Sequence, residues 1–385
     1  MLSKIRCLSR KKIVDTMPFK MVKNSIRILI IRIGAIGDVL MVTPLISTLR
    51  DAFPDSCLGF LTSHYAMPLL QYNKKIDKLY AIKYRKLPYW ISREKQRLVR
   101  IMKKENWDVI FLLESNPIFA SLVKRFDADA IYGFKGEINR HLSKCIPFSP
   151  DSHVISNFLR LGSLLGKELR EFPMSLYWPD NASEKVRIIL KRLPLHYPRI
   201  AIHAGFGPLR KKGKKALGIK SWPLDRYRET IIRLHRETLA SFVLTGTSKE
   251  FTINETIMDG LKVPILNLAG DTTIPELGAL LKEMNLLISI DSSPAHISAA
   301  VGTPLIVLWG PAIEPRMIPI SLNSPVVIIN KHLPCSPCYE TPRKEACQNN
   351  ICMQEIQVDE VVKEATNLLL NRSSRSNDLN SLNSL

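Results

Sequence analysis

The run Leu286-Leu-Ile-Ser-Ile-Asp-Ser-Ser-Pro-Ala-His-Ile-Ser-Ala-Ala-Val-Gly-Thr-Pro-Leu-Ile-Val-Leu-Trp-Gly-Pro311 constrains the fold more than any other part of the chain. Residues 286–290 and 304–309 are short apolar runs, the pattern of parallel strands covered on both faces. Between them Ser293 stands where an N-cap belongs, Pro294 takes the first helical position, and the small residues from Ala295 onward allow close packing on a sheet. A helix starting there presents free backbone N–H groups at the carboxyl end of a strand, where open α/β sheets bind ligands and where a diphosphate is favoured. Asp291 and His296 flank the spot. An aspartate beside bound phosphate has a use if it accepts hydrogen bonds from hydroxyls, so one reading is a phosphate carrying a sugar. The other is that Asp291 caps a turn and His296 packs in the core.

The same alternation recurs along the chain. Residues 26–33 form an apolar strand leading into Gly34 and Gly37, then an amphipathic run to Leu49. Further strands are expected over 57–61, 78–82 and 107–113, and a helix over 117–126. The strand–glycine pattern restarts at 199–207, continues with a strand and turn over 241–250 and a strand over 264–268, and places a domain boundary near 180–198. Repeated βα units imply parallel sheets, and 385 residues suit two cores better than one. The Gly-x-x-Gly spacing of Gly34 and Gly37 is neither a dinucleotide fingerprint nor a phosphate loop, because no Gly-Lys-Ser/Thr follows. Asp38 opens the helix after them. It fits both a carboxylate favoured by the helix dipole and a general base at the mouth of a cleft.

Formal net charge is +20, which calls for an anionic partner. The first 24 residues carry seven Lys or Arg against Asp15 alone, and read either as a basic arm on anionic lipid or as an unstructured extension. Residues 83–104 hold nine basic side chains and one acid, interleaved with Tyr84, Tyr89 and Trp90. They read as a phosphate or membrane contact, or as a solvated basic helix. Arg93 and Arg97 are the acceptor-side candidates in that stretch. More cations follow the strand at 199–203, at Arg210-Lys-Lys-Gly-Lys-Lys215 and Lys220, where they would neutralise a departing diphosphate. Glu250, just past a strand, is a candidate for ribose hydroxyls.

No apolar run is long enough to span a membrane and the charged start lacks a signal peptide's apolar core, so an intracellular protein is expected. Seven cysteines are not a secreted disulfide framework. Cys335, Cys338, Cys347 and Cys352 could hold zinc, although their spacing matches no standard finger and idle thiols are the alternative. A basic nucleic-acid-binding protein is the competing class, but no RNP, zinc-finger or helix-turn-helix pattern supports it.

Four motifs taken together resemble family 9 glycosyltransferases, typified by heptosyltransferases of the lipopolysaccharide inner core. They are Ile31-Arg-Ile-Gly-Ala-Ile-Gly-Asp-Val-Leu-Met-Val-Thr-Pro44, Lys220-Ser-Trp-Pro223, Asp291-Ser-Ser-Pro-Ala-His296 and Leu308-Trp-Gly-Pro311. The resemblance runs from about residue 25 to 370. It implies an α/β protein of GT-B architecture, two Rossmann-like domains facing across a cleft. The implied division is a basic extension over 1–24, an acceptor domain over 25–180 with Gly34, Gly37, Arg93 and Arg97 toward the acceptor, and a donor domain over 181–355. A helix over 356–370 returns to the first domain, and a disordered tail covers 371–385.

By the same resemblance Asp38 is the general base of an inverting transfer. Lys220, Glu250, Asp291, Ser292, Ser293 and His296 bind the nucleotide sugar, and no cofactor or metal is implied. The expected donor is ADP-L-glycero-D-manno-heptose. The expected acceptor is the anionic glycolipid Kdo-lipid A or its heptosylated core, met by a cytoplasmic protein lying peripherally on the inner face of the membrane, with no nucleic acid as partner. Related alternatives are another nucleotide sugar, a protein acceptor, or an inactive lipid-binding relative. Two departures from the family pattern are the basic insertion at 209–219 and the replacement of the expected phosphate-contacting hydroxyls by Ala204, Gly205 and Phe206.

Overall fold

Residues 25–83, 87–194, 198–205, 218–347 and 349–382 are described by the structure, a computed structural model. Two six-stranded sheets, parallel throughout, carry the chain. In the first, strands β1 (Arg27–Ile31), β2 (Cys57–Ser63), β3 (Lys78–Ile82), β4 (Val109–Leu112), β5 (Ala130–Phe134) and β6 (Lys144–Ile146) take the order β3-β2-β1-β4-β5-β6. In the second, β7 (Arg199–His203), β8 (Ser241–Leu244), β9 (Ile265–Asn267), β10 (Leu286–Ile290), β11 (Leu305–Trp309) and β12 (Val326–Asn330) take the order β12-β11-β10-β7-β8-β9. Both are the doubly wound arrangement, whose strand order reverses at one point. That point lies between β1 and β4 in one sheet and between β7 and β10 in the other.

The central strands are the apolar runs of the sequence. Ile28, Leu29, Ile30 and Ile31 are at most 1% exposed, and all five residues of β10 are buried, as strands with helices on both faces must be. The register pairs Ile28 with Leu58 on one side and with Val109 on the other, so that β1 leads its chain to the middle of the carboxyl edge.

At that edge the residues after β1 turn through Gly34 into the helix Ile36–Leu40, and those after β10 turn into the helix Ser293–Val301. The N-cap of the second helix is Ser292, one residue earlier than expected. Ser293 is thus the first helical residue and Pro294 the second, where its missing N–H is equally harmless. Gly302 ends the helix at φ +78°, a left-handed conformation that favours glycine.

The C-terminal helix departs from expectation. Val358–Leu382 lies on the second sheet and does not return to the first domain: Val358, Val361, Val362, Ala365 and Leu369 share a core with Trp222, Tyr227, Ile231 and Leu234. Their spacing puts all five on one helical face. Ion pairs from Arg233 to Asp359 and from Lys331 to Glu360 hold its first turn there. The helix also continues to Leu382 through the polar stretch expected to be disordered. Once the packed turns have nucleated it, each added residue contributes a further backbone hydrogen bond.

Candidate active site

The carboxyl edges of the two sheets meet where the short helix Ile36–Leu40 packs on the helix Ser293–Val301. A Cβ placed on Gly37 would stand 2.9 Å from Cδ2 of His296, so only glycine lets the helices approach this closely. His296 is 5% exposed, and its Nδ1 has no hydrogen-bond partner among the described residues. Burial drives its pKa down to about 4; Asp291 and Asp38 pull against that, while His153 and Lys220 reinforce it. Charged groups from both halves thus converge on one neutral imidazole. His153 joins the halves at a second point, its Nε2 lying 3.0 Å from the carbonyl oxygen of Ile318.

Asp38 is held on the first-half side of this junction. Its Oδ1 is 3.3 Å from Nη2 of Arg32, and its Oδ2 accepts the N–H of Ala35 at 3.0 Å. Arg32 is fixed in turn by donating to the carbonyl oxygen of Leu113 at 2.8 Å, with Glu114 3.7 Å away. Gly34 leaves room for this arrangement, since a Cβ there would lie 2.6 Å from Oδ2 of Asp38. The carboxylate is oriented by its neighbours and remains 24% exposed, so a hydroxyl can reach it.

On the second-half side Lys220 donates from Nζ to Oδ2 of Asp291, the two side chains being 24% and 12% exposed. Ser292 caps the helix beside them, with Oγ 3.0 Å from Oγ of Ser289, and Ser293 supplies the first turn. A lysine, an aspartate and a row of backbone N–H groups therefore share one corner, which can hold a diphosphate and the hydroxyls of a sugar together. Glu250 lies beyond the end of β8, where its carboxylate accepts the N–H of Thr247 at 2.6 Å and its hydroxyl at 2.9 Å. It is close enough to raise the pKa of His203, although burial outweighs it and the net shift is downward.

Not every candidate joins this junction. Arg93 and Arg97 are exposed on the outer side of the helix Arg93–Glu105, whose buried side carries Leu98, Val99 and Met102. Neither makes an ion pair with Asp38 among the described residues. Beside them, at the same carboxyl edge, Tyr89, Trp90, Ile118, Arg125 and Arg140 line a cleft of about 340 Å³, with the Arg125 guanidinium 4.6 Å over the Tyr89 ring. Cys338 and Cys352 are buried and Cys335 is exposed, and among the described residues no group of three His, Cys, Asp or Glu side chains could hold a metal ion. The basic extension over 1–24, Tyr84 and the cations at 210–215 lie outside the described residues.

Sequence reasoning passed over Arg32, Glu114 and His153. The first carried a signal: Arg32 interrupts an otherwise apolar run two residues before Gly34, where a charge needs a partner.

Residues 204–348 match the family model described as Glycosyltransferase family 9 (heptosyltransferase). The chain carries a family 9 glycosyltransferase domain. Among curated relatives, lipopolysaccharide heptosyltransferase 3 of Escherichia coli is 28% identical over 292 residues, covering 71% of this chain and 80% of the relative. Lipopolysaccharide heptosyltransferase 2 of Salmonella typhimurium is 23% identical, covering 78% of this chain and 87% of the relative. Two solved structures share the fold over 90% of this chain. A family 9 glycosyl transferase from Veillonella parvula is 19% identical with a TM-score of 0.77, covering 97% of its own length. Escherichia coli ADP-heptose lipopolysaccharide heptosyltransferase II is 20% identical with a TM-score of 0.70, covering all of its length. The architecture of this transferase is therefore GT-B, and the matched span includes Lys220, Asp291 and His296.

Proposed function

We propose that this transferase moves heptose from ADP-heptose to the inner core of lipopolysaccharide, with inversion at the anomeric carbon. The observation that carries the reading is the convergence of Asp38 from one half, and of Lys220 and Asp291 from the other, on His296. In the proposed division, residues 25–180 hold the acceptor and residues 181–355 the donor. Lys220 and the backbone N–H groups at Ser292 and Ser293 meet the diphosphate, Asp291 accepts from hydroxyls of the sugar, and Glu250 takes the ribose.

The acceptor hydroxyl gives its proton to Asp38 as its oxygen forms the new bond to the anomeric carbon. On the opposite face, the bond from that carbon to the diphosphate oxygen breaks, and ADP leaves with the electron pair. Arg32 keeps Asp38 aimed along this line, and Lys220 offsets the charge that grows on the leaving group. The geometry follows the inverting logic of glycosidases, with a sugar hydroxyl in place of water.

The acceptor on this reading is an anionic glycolipid, Kdo-lipid A or its heptosylated form. The exposed row of Arg93, Arg97, Arg100 and Lys104 gives the first half a cationic face, with Trp90 at 73% and Ile118 at 60% exposure beside it. This face suits the anionic inner surface of the cytoplasmic membrane. On this reading the contact is peripheral; among the described residues no helix is long and apolar enough to cross a membrane. Nucleic acid has no part in this reading.

The test is ADP release from ADP-heptose in the presence of Kdo-lipid A or heptosylated Kdo-lipid A, with the anomeric configuration of the product read by NMR. The reading expects acceptor-dependent release and an inverted linkage. A retained linkage, or release with neither acceptor, would overturn it.

A further inference from the structure

Lys220 has a third neighbour that its motif does not contain. Its Nζ lies 4.1 Å from the centroid of the Tyr339 ring, and Nζ of Lys344 lies 4.1 Å from the same centroid. Tyr339 belongs to the cysteine-rich segment, more than a hundred residues along the chain from Lys220.

That segment is tied to the donor corner at both ends. At one end, Ser336 donates to the carbonyl oxygen of Gly310 at 2.6 Å, and the N–H groups of Cys338 and Tyr339 each donate to that of Pro311 at 2.9 Å. This hangs the turn on the Trp-Gly-Pro motif that ends β11, the strand beside the one leading to Asp291. Arg316 adds an ion pair to Glu340 at 2.5 Å. At the other end, Nδ2 of Asn350 donates to the carbonyl oxygens of Ser221 at 2.7 Å and Ile219 at 3.3 Å, on either side of Lys220. Trp222 Nε1 donates to Ile356 at 3.0 Å. The backbone around Lys220 is thus gripped by Asn350, and its ammonium is placed by an aromatic face on one contact and by Asp291 on another.

We propose that Tyr339 is a positioning residue for Lys220, and that the segment from Cys335 to Cys352 sets where the donor's diphosphate charge is met. An ammonium over an aromatic ring is attracted by the negative face of the π-system, more strongly where water is partly excluded. Without the ring, a flexible four-carbon stem keeps only the contact to Asp291, which the sugar hydroxyls compete for once the donor binds. The inference rests on the reading of Lys220 as a phosphate contact.

The experiment uses the full chain and ADP as the probe, with the dissociation constant measured by calorimetry for wild type, Tyr339→Phe, Tyr339→Leu, Lys220→Met and the Lys220→Met/Tyr339→Leu pair. Thermal unfolding of each variant controls for folding. The expected result is a loss of about 3- to 30-fold in ADP affinity for Tyr339→Leu. Tyr339→Phe, which keeps the ring, should stay within about twofold of wild type, and Tyr339→Leu should add nothing in the Lys220→Met background. The proposal is overturned if the leucine variant binds ADP like wild type, if phenylalanine does no better than leucine, or if the leucine effect persists without Lys220. If Lys220→Met itself leaves ADP binding unchanged, the phosphate role of Lys220 falls, and the proposal with it. A loss for Lys220→Met with none for Tyr339→Leu would sink the positioning role alone.

Discussion

The two halves share a strand order and place their working residues at the same topological point, yet they differ in how those residues are held. In the second half the cation and the anion are already paired: Lys220 is bonded to Asp291, placed by Tyr339 and backed by Asn350. In the first half the corresponding edge is open. Asp38 is aimed by Arg32 across a longer contact of 3.3 Å, and Arg93, Arg97, Arg100 and Lys104 on the helix Arg93–Glu105 are exposed, with no ion pair at any of the four among the described residues. The span matching the family model, 204–348, lies wholly in the second half. The difference teaches that the half read as binding a nucleotide sugar is built as a preorganised socket, whereas the half read as meeting the acceptor is an edge with an adjoining cationic face.

The comparison can be broken most sharply at the socket. Lys220→Ala removes a donor aimed at the leaving group and strands Asp291 without its partner. A fall of about 10²- to 10³-fold in kcat/KM for the nucleotide sugar is expected, with the acceptor KM nearly unchanged, in steady-state assays varying each substrate in turn. An equal rise in KM for both substrates would erase the division of labour between the halves.

On the open half, replacing Arg93, Arg97 and Arg100 together by Gln should weaken sedimentation with anionic vesicles by about 100-fold. Each cation near such a surface contributes about 1 kcal/mol. Affinity for ADP should not move, and binding to zwitterionic vesicles should be weak for both proteins.

The junction between the halves is open to a pH test. His296 has a folded pKa of about 4 against an ordinary value of 6.5. Between those values the unfolded chain takes up a proton that the folded chain refuses, so stability is full above about pH 6.5 and falls as pH drops toward 4. The loss from this residue amounts to roughly 3 kcal/mol. Comparing chemical denaturation of wild type and His296→Asn between pH 7 and pH 4 should show a flatter profile in the variant. Gly37→Ala presses a methyl group against the same imidazole and should cost about 1 to 3 kcal/mol in that assay at pH 7.

Much of this arrangement was legible in the chain. The apolar runs at 26–33, 286–290 and 304–309 are strands because both faces are covered, and Gly34, Gly37 and Asp38 stand after β1 because the switch point of a doubly wound sheet falls there. The C-terminal helix misled, since the apolar face of Val358 to Leu369 says that it packs but not on which sheet; Arg233, Lys331 and Trp222 decide that, from far away in sequence. His153 was equally hidden, because its partner, the carbonyl of Ile318, is brought to it only by the fold; Arg32 showed in sequence that it needs a partner, but not that Asp38 and Leu113 supply it. Arg93 and Arg97 show the reverse: a basic run is visible in sequence, but which way its side chains face depends on Leu98, Val99 and Met102 finding the core.

The most direct test of the account is a single-turnover experiment on Asp38→Asn, with the rate of ADP-heptose consumption and the dissociation constant of ADP measured on the same preparation. The account predicts a rate lower by about 10²- to 10⁴-fold and an ADP affinity within about twofold of wild type, because Asp38 acts on the acceptor hydroxyl and not on the donor. An unchanged rate, or a loss of ADP affinity as large as the loss of rate, would contradict it.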